Sequence, residues 1–164
     1  LRSITMHGKG KDKYHNVRVG TNSRLDTIQA CVLHEKFKHF KDEIEERNKL
    51  AKFYNDQLRQ FIKVPNIFEG EVPTWAVYTL LHKKRDRIIE LLKKAGIPSN
   101  IYYHTPLHMQ DAYLAYPRAE SLLNSEKYSS ECFCLPMHAY ITNEERNYIV
   151  NQLKIILKEV NESN

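Results

Sequence analysis

The stretch "WAVYTLLHKKRDRIIELLKKAG", residues 75–96, decides the fold class. Its first seven residues are aromatic, β-branched or aliphatic, which is typical of a buried strand. The part that follows spaces its apolar residues as an amphipathic helix does, and Gly96 is a typical residue for ending a helix. A strand that leads into a helix predicts an α/β unit.

The downstream sequence continues this alternation of strands and helices. We expect a second strand in "IPSNIYYHT" (97–105), a helix in "RAESLLNSEKYSSE" (118–131), a strand in "CFCLPM" (132–137) and a helix in "TNEERNYIVNQLKIILKEV" (142–160). Thr142 or Asn143 is the expected N-cap of the final helix, whose first turn is acidic. Residues 63–164 are therefore predicted to form a small α/β domain, with a small sheet and helices on one face.

Residues 25–62 carry a long helical pattern. The apolar positions at helical spacing are Leu33, Phe37, Phe40, Ile44, Ala51, Tyr54, Leu58 and Phe61. This pattern predicts one long helix or two helices in series. A single helix would reach roughly 55 Å at about 1.5 Å per residue, which exceeds the diameter of a small domain. We therefore expect a kink or break near residues 38–41, and a partner surface beyond this domain.

The first 19 residues, "LRSITMHGKGKDKYHNVRV", differ from both of these regions. Glycines and basic residues in their central part argue against a helix, so we expect an extended basic arm. The alternation at Val17 and Val19 permits a short strand. The basic loop "MHGKGKDK" lacks the spacing of a phosphate-binding P-loop.

Composition sets limits on the class of protein. The chain has 164 residues, 41% hydrophobic and 27% charged, with a net charge of +5, which favours anionic ligands without implying nucleic acid. Three cysteines without a CxxC pair fit a reducing cytoplasm better than a zinc or disulfide scaffold. No apolar run approaches the roughly 20 residues of a membrane span, and no signal peptide is visible. Because the chain opens at Leu1 without methionine, we expect a piece of a longer protein.

The stretch "GTNSRLD" (20–26) lies at the mouth of the long helix. One interpretation is a simple helix cap through Asn22 or Ser23. The other is an anion site, in which backbone N–H groups at the helix start act together with Arg24. A cap needs only one such residue, and Gly20, Arg24 and Asp26 are then surplus to it. This surplus suggests the anion site but does not decide between the two interpretations.

The stretch "IYYHTPLHMQDAY" (101–113) is the second candidate site. Tyr102, Tyr103, His104 and His108 crowd the end of a predicted strand, where ligands often bind. The alternative is an aromatic satellite core with histidines on the surface. Pro106 breaks the helical geometry that a zinc-binding His-x3-His pair needs, so no metal site is expected. Further on, Cys132 and Cys134 are expected to point to one face and pack, and His138 to lie in a turn.

Four stretches together resemble the DegT/DnrJ/EryC1/StrS sugar aminotransferases. They are "LRSITMHGKGKDKYHNVRVGTNSRLDTIQACVLHEKF", "RNKLAKFYNDQL", "GIPSNIYYHTPLHMQDAY" and "CLPMHAYITNEERNYIVNQL". The resemblance implies a fold-type I transferase that depends on pyridoxal 5′-phosphate and moves an amino group, usually from glutamate, to a nucleotide-linked keto-sugar in polysaccharide or deoxysugar biosynthesis. It also implies a homodimer with active sites at the subunit interface.

The resemblance assigns roles residue by residue. Asn22 is implied to reach the cofactor phosphate of the other subunit, and Arg24 to support an anionic group there. His15, Tyr102, Tyr103 and His108 are implied to face the sugar or nucleotide. The chain then corresponds to the C-terminal portion of the enzyme: the end of the large domain (1–24), connecting helices (25–62) and the small domain (63–164). The Schiff-base lysine, the acid that pairs with the pyridine nitrogen and the stacking aromatic residue all lie upstream, so the fragment is expected to be inactive alone.

Two alternatives stay open at this point. A dehydratase of the same family carries histidine in place of the Schiff-base lysine, and that position is upstream. A non-catalytic module for anion binding or dimerisation is the other alternative. The expected location is the cytoplasm, and no membrane partner is expected. No nucleic-acid partner is expected either, because the sequence shows no nucleic-acid-binding motif.

Overall fold

The computed structural model describes residues 1–12, 14–117 and 121–162. The chain divides into two compact units, Leu1–Lys41 and Asp42–Asn164. Among the helices of the described residues, none combines the length and the apolar character that a membrane crossing requires.

Five helices and two strands make up the regular structure of the described residues. The helices are α1 (Arg2–Thr5), α2 (Thr27–Leu58), α3 (Arg85–Lys94), α4 (Leu123–Glu131) and α5 (Asn143–Glu162); the strands are β1 (Tyr78–Leu81) and β2 (Cys132–Leu135). Single 3₁₀ turns cover Leu107–Met109 and Asp111–Tyr113. The two strands form one antiparallel pair, in which Tyr78 lies opposite Leu135 and Leu81 opposite Cys132.

Helix α2 is continuous over 32 residues. The break expected near residues 38–41 is therefore wrong. No proline or glycine occurs between Thr27 and Leu58, and without one nothing removes a backbone donor or loosens the ladder of hydrogen bonds.

The N-terminal segment folds back on itself, so the prediction of an extended arm is wrong. It begins with the helical turn α1, and its remaining backbone makes antiparallel bridges between Lys9 and Asn16 and between Met6 and Asn22. Gly20 permits this fold, since a Cβ atom there would lie 2.2 Å from the backbone nitrogen of Gly8. Glycine at that position allows two backbone segments to approach closely.

The elements of the second unit follow the predicted order with three differences. The strand expected over 75–81 begins only at Tyr78, because Trp75 has a left-handed φ of 48° that a strand does not admit. The strand expected over 97–105 is reduced to one bridge, in which the Cys134 N–H donates to the Asn100 carbonyl at 2.9 Å. Pairing stops there because the chain turns away into a loop, in which Tyr103 has a φ of 59°. The helix expected over 118–131 starts at Leu123, and residues 118–120 lie outside the described ones.

The core of the second unit lies between the helices and one face of the sheet. Its fully buried side chains include Tyr54, Leu58, Tyr78, Leu80, Ile88, Leu92, Phe133 and Leu153. The two core tyrosines keep their polar ends bonded: Tyr54 donates to the Pro136 carbonyl at 3.1 Å and Tyr78 to Asn55 Oδ1 at 2.6 Å. Burial raises the pKa of both phenols well above the ordinary value, so both stay neutral.

Two local features fix the helix ends around this core. Thr142 caps α5 as predicted, since the Glu145 N–H donates to Thr142 Oγ1 at 3.2 Å and the Thr142 N–H donates to the Glu145 carboxylate at 2.8 Å. At the start of α3, the buried guanidinium of Arg85 donates to the Ser129 carbonyl at 2.6 Å and joins α3 to α4.

Candidate functional site

A cavity of about 1280 Å³ opens within the second unit, Asp42–Asn164. Its wall is mostly apolar and rich in aromatic residues. The aromatic residues that line it are Trp75, Tyr102, Tyr103, Tyr113, Tyr116 and Tyr128. Concave, largely apolar sites with a few placed polar groups are typical of small-molecule binding.

The two strands separate this cavity from the core. On β1, Tyr78 and Leu80 are buried in the core while Thr79 and Leu81 line the cavity. On β2, Phe133 and Leu135 face the core while Cys132 and Cys134 line the cavity. Neighbouring residues of a strand point to opposite faces, so this short sheet serves as core on one side and as cavity wall on the other.

The prediction that Cys132 and Cys134 point to one face is confirmed, and the prediction that they are packed is confirmed for Cys134. Cys134 is buried and pairs with Thr79, with 3.2 Å between its sulfur and Oγ1; burial raises the pKa of its thiol. Cys132 is half-buried, and its thiol donates to the Tyr102 carbonyl at 3.5 Å.

Tyr102, Tyr103 and His108, which the sequence assigned to one substrate pocket, all line the cavity. Tyr103 is 89% exposed and holds a left-handed backbone conformation with φ of 59°. That conformation is uncommon for a bulky residue and costs free energy that no packing contact at so exposed a side chain returns. His104, which the sequence placed in the same group, instead lies beside the Thr105 hydroxyl at 3.3 Å.

His108 makes a hydrogen bond to a carboxylate that the sequence did not reveal. Its Nε2 lies 3.1 Å from the carboxylate of Glu126 in the first turn of α4. The histidine side chain is 12% exposed and that of the glutamate 47%. The two residues are 18 positions apart, and no local sequence pattern signals such a contact.

Trp75 is the second feature that sequence reasoning missed. Its indole N–H donates to Asn48 Oδ1 at 3.1 Å, and its backbone φ is 48°. The Asn48 amide donates to the carbonyls of Ile44 and Pro73 at 2.8 and 3.0 Å. The amide is thus bonded at both ends, which holds the indole on the cavity wall. The available signal was only that Trp75 is the single tryptophan of the chain.

Asn22 and Arg24 belong to the other unit, Leu1–Lys41, and both are exposed. The helix-cap interpretation of Asn22 or Ser23 is wrong. Helix α2 starts at Thr27, and the carbonyl of Asp26 accepts its first bond, from the Ala30 N–H at 2.9 Å. Asn22 instead pairs with Met6 in the folded-back segment. Its side chain therefore serves no cap, and its role in binding an anion stays a prediction.

His15 is also exposed in the first unit, where its carbonyl accepts the Gly10 N–H at 2.9 Å. Its assignment to the substrate stays a prediction. Within the described ranges, no three His, Cys, Asp or Glu side chains are grouped so that they can hold a metal ion.

Comparison with known proteins gives consistent matches. The profile of the DegT/DnrJ/EryC1/StrS aminotransferase family matches residues 1–154. The chain is 38% identical to the UDP-2-acetamido-2-deoxy-3-oxo-D-glucuronate aminotransferase of Pseudomonas aeruginosa, over 86% of this chain and 39% of that protein. It is 31% identical to the dTDP-3-amino-3,6-dideoxy-alpha-D-galactopyranose transaminase of Aneurinibacillus thermoaerophilus, over 92% of this chain and 41% of that protein.

The fold agrees with these matches. A crystal structure of a DegT/DnrJ/EryC1/StrS aminotransferase from Brucella abortus superposes with a TM-score of 0.89 at 44% identity, over 93% of this chain and 41% of that one. The prediction that the chain has the fold of part of such an enzyme is confirmed. The chain spans about two fifths of the length of the relatives that it matches. It belongs to the DegT/DnrJ/EryC1/StrS aminotransferase family.

Proposed function

We propose that this chain is the C-terminal portion of a pyridoxal-phosphate-dependent aminotransferase that aminates a nucleotide-linked keto-sugar, with glutamate as the amine donor. The single observation that carries the proposal is the meeting of Tyr102, Tyr103 and His108 on one aromatic cavity. The names of the relatives support the same substrate class, since one is an aminotransferase of a UDP-linked oxo-sugar and another a dTDP-sugar transaminase.

The chemistry of the cavity suits such a substrate. Aromatic faces accept the apolar face of a sugar ring and the plane of a base by stacking. The imidazole of His108 provides a polar group for a hydroxyl, and the net charge of +5 favours an anionic diphosphate.

The size of the cavity supports a larger assembly. Its volume of about 1280 Å³ exceeds the roughly 300–1,000 Å³ of ordinary small-molecule sites. We therefore propose that further polypeptide closes part of it in the complete gene product.

The exposed residues of the first unit support a cofactor role. Asn22 and Arg24 carry an amide and a guanidinium, which are the kinds of donor that hold a phosphate. We propose that they bind the phosphate of the cofactor held by the other subunit of a homodimer. The bound cofactor would supply the electron sink of the reaction. The proposed location of the enzyme is the cytoplasm.

The apolar side chains on the first part of α2 are proposed to be covered in the complete gene product. Phe37 is 75% exposed and Ile28 80%, and Phe37 stacks on Phe40 with 5.9 Å between ring centroids. Large apolar side chains exposed in a row are typical of an interaction surface. The chain spans only about two fifths of the length of its relatives, so we propose that the remaining part of the polypeptide packs here.

The decisive experiment supplies the complete gene product with glutamate and UDP-2-acetamido-2-deoxy-3-oxo-D-glucuronate or another nucleotide-linked keto-sugar. We expect formation of an aminated sugar nucleotide together with one equivalent of 2-oxoglutarate. Mass spectrometry detects both products. A dehydratase would release water from its substrate without consuming glutamate. Absence of both reactions across such keto-sugars would overturn the proposal. The 164-residue chain alone is expected to be inactive in the same assay.

A further inference from the structure

We propose that Glu126 is a positioning residue of the substrate cavity, whose carboxylate sets the ring orientation and the tautomer of His108. This inference rests on the proposed function as far as the cavity binds a sugar nucleotide. The part of the inference that concerns the control of His108 rests on the hydrogen bond between Nε2 and the Glu126 carboxylate.

The geometry brings two separate elements together at the cavity. His108 lies in the 3₁₀ turn Leu107–Met109, and Glu126 lies in the first turn of α4. The distance of 3.1 Å between Nε2 and the carboxylate oxygen is that of a hydrogen bond. The imidazole is 12% exposed and is part of the cavity wall, whereas the carboxylate is mostly outside it.

The chemistry of the pair fixes where the proton lies. An ionised carboxylate only accepts hydrogen bonds, so Nε2 of His108 must carry a hydrogen. In the neutral ring, Nδ1 is then the acceptor. No described residue bonds to Nδ1 of His108. A sugar hydroxyl can donate a hydrogen bond to this Nδ1 atom. Glu126 thus determines that the cavity offers an acceptor, without itself contacting the substrate.

The same pair anchors the aromatic loop. Tyr102 and Tyr103 precede His108 in a loop with little regular structure. Among the described residues, the side-chain hydrogen bond between this loop and α4 is the one of His108 with Glu126, while the Cys132 thiol of β2 donates to the Tyr102 carbonyl. Loss of the carboxylate is therefore expected to disturb substrate binding and not the core.

The test compares variants of the complete gene product in their binding of UDP-N-acetylglucosamine, measured by calorimetry. Glu126→Ala is expected to weaken binding about tenfold, the size of the one hydrogen bond between a sugar hydroxyl and Nδ1 that a misplaced His108 ring no longer accepts. Glu126→Gln is expected to stay within about twofold of the wild type, because its amide oxygen accepts the same bond from Nε2. The matched control is Glu131→Ala, which removes a carboxylate from the same helix.

A double variant separates positioning from a merely structural role. If Glu126 acts through His108, Glu126→Ala costs nothing further in a His108→Ala background. Unchanged binding in Glu126→Ala would overturn the proposal, as would losses that add in the double variant. Thermal unfolding of each variant shows whether binding changed without a change in the folded state.

If the wild-type protein fails to bind UDP-N-acetylglucosamine, this result counts against the proposed function. The effect of Glu126 on the tautomer of His108 can then still be measured by NMR. With ring ¹⁵N-labelled histidine, His108 is expected to be the Nε2–H tautomer in the wild type and in Glu126→Gln. A mixture of tautomers in Glu126→Ala would support the positioning role. The same single tautomer in all three proteins would overturn it.

Discussion

The side chain of Asn48 connects Trp75 to helix α2, by accepting the indole N–H at 3.1 Å. Its own amide donates to Ile44 one turn earlier in the helix and to Pro73 in the loop before the strand. One residue of α2 therefore holds both the backbone and the ring of the loop that forms one part of the cavity wall.

Asn48→Ala is expected to release this loop. It removes three hydrogen bonds that are partly shielded from water, so the free energy of unfolding should fall by about 1–3 kcal/mol. Trp75 is the single tryptophan, so its fluorescence reports directly on the change, and a shift to longer wavelength is expected. Asn151→Ala, on the exposed side of α5, is the control. An unshifted spectrum in Asn48→Ala would contradict the role of Asn48.

Tyr103→Gly is expected not to destabilise the protein, although it removes a whole aromatic side chain. Glycine adopts the left-handed conformation without strain, which offsets the backbone entropy that glycine loses on folding. The control is Tyr102→Gly, which has no such strain to relieve and should cost about 1 kcal/mol. Urea unfolding measures the free energy of unfolding of both variants. If function maintains Tyr103, the stable Tyr103→Gly protein should bind UDP-N-acetylglucosamine more weakly; equal binding would leave the strain unexplained.

Phe37→Glu is expected to affect the stability of the complete gene product but not that of the 164-residue chain. In the 164-residue chain the ring is exposed, so the melting temperature should stay the same. In the complete gene product we expect a loss of about 3 kcal/mol or more, because a charge would replace a buried ring. The control is His39→Glu, which introduces the same carboxylate at an exposed position two residues along, on the opposite side of the helix. Equal melting temperatures for Phe37→Glu and wild type in the complete protein would show that this face stays uncovered.

Thr142→Ala should lower the free energy of unfolding by about 1 kcal/mol, because it leaves the Glu145 N–H at the start of α5 without its acceptor. Thr142→Ser keeps the hydroxyl and should retain most of the stability. Chemical denaturation of the three proteins at neutral pH provides the comparison, and equal midpoints would argue against the cap.

The same cap predicts a dependence on pH. The Thr142 backbone N–H, and then its hydroxyl, hold the pKa of Glu145 below its ordinary value of 4.5. A lowered folded-state pKa contributes stability above the unfolded value, and this contribution is lost as the pH falls through the folded value. Glu145→Gln should therefore lose less stability than the wild type between pH 5 and acid conditions below the folded pKa. Parallel acid-unfolding curves would contradict this assignment.

Asn22→Ala tests the proposed phosphate contact in the complete gene product. Its amide makes no cap, so we expect unchanged thermal stability of the cofactor-free protein but weaker retention of pyridoxal 5′-phosphate during dialysis. Ser23→Ala, one residue along, is the control. Cofactor retention equal to that of the wild type would remove Asn22 from the proposed site.

The sequence predicted those elements whose local signals and tertiary contacts agree. Helices α3 and α5 have regular apolar faces and clear ends, and β2 is short, apolar and closed by Pro136, so each lies close to its expected place. The strand expected over 97–105 has apolar residues too, but a strand needs a partner along its length. Among the described residues it finds one only at Asn100.

The site was predictable where neighbours in sequence meet in space. Tyr102, Tyr103 and His108 share one loop, so their common cavity followed from the sequence. Glu126 and Asn48 act on their partners across 18 and 27 residues, and such contacts depend on how helices dock and not on any spacing within the chain. The role of Gly20 was missed for the same reason, because only the folded-back backbone of Gly8 explains it.

Cys132 and Cys134 lie on the same face of β2, in the wall of the cavity, but they differ in how far a reagent can reach each thiol. Cys132 is half-buried beside the cavity, so a thiol reagent that enters the cavity will reach it first, and a bound ligand will protect it. Cys134, two residues on, is buried beside Thr79, and burial raises the pKa of its thiol, so it should react more slowly. The rate of alkylation at Cys132 thus reports whether the cavity is occupied, and the slower rate at Cys134 reports how tightly the wall behind it is packed, within a single strand of four residues.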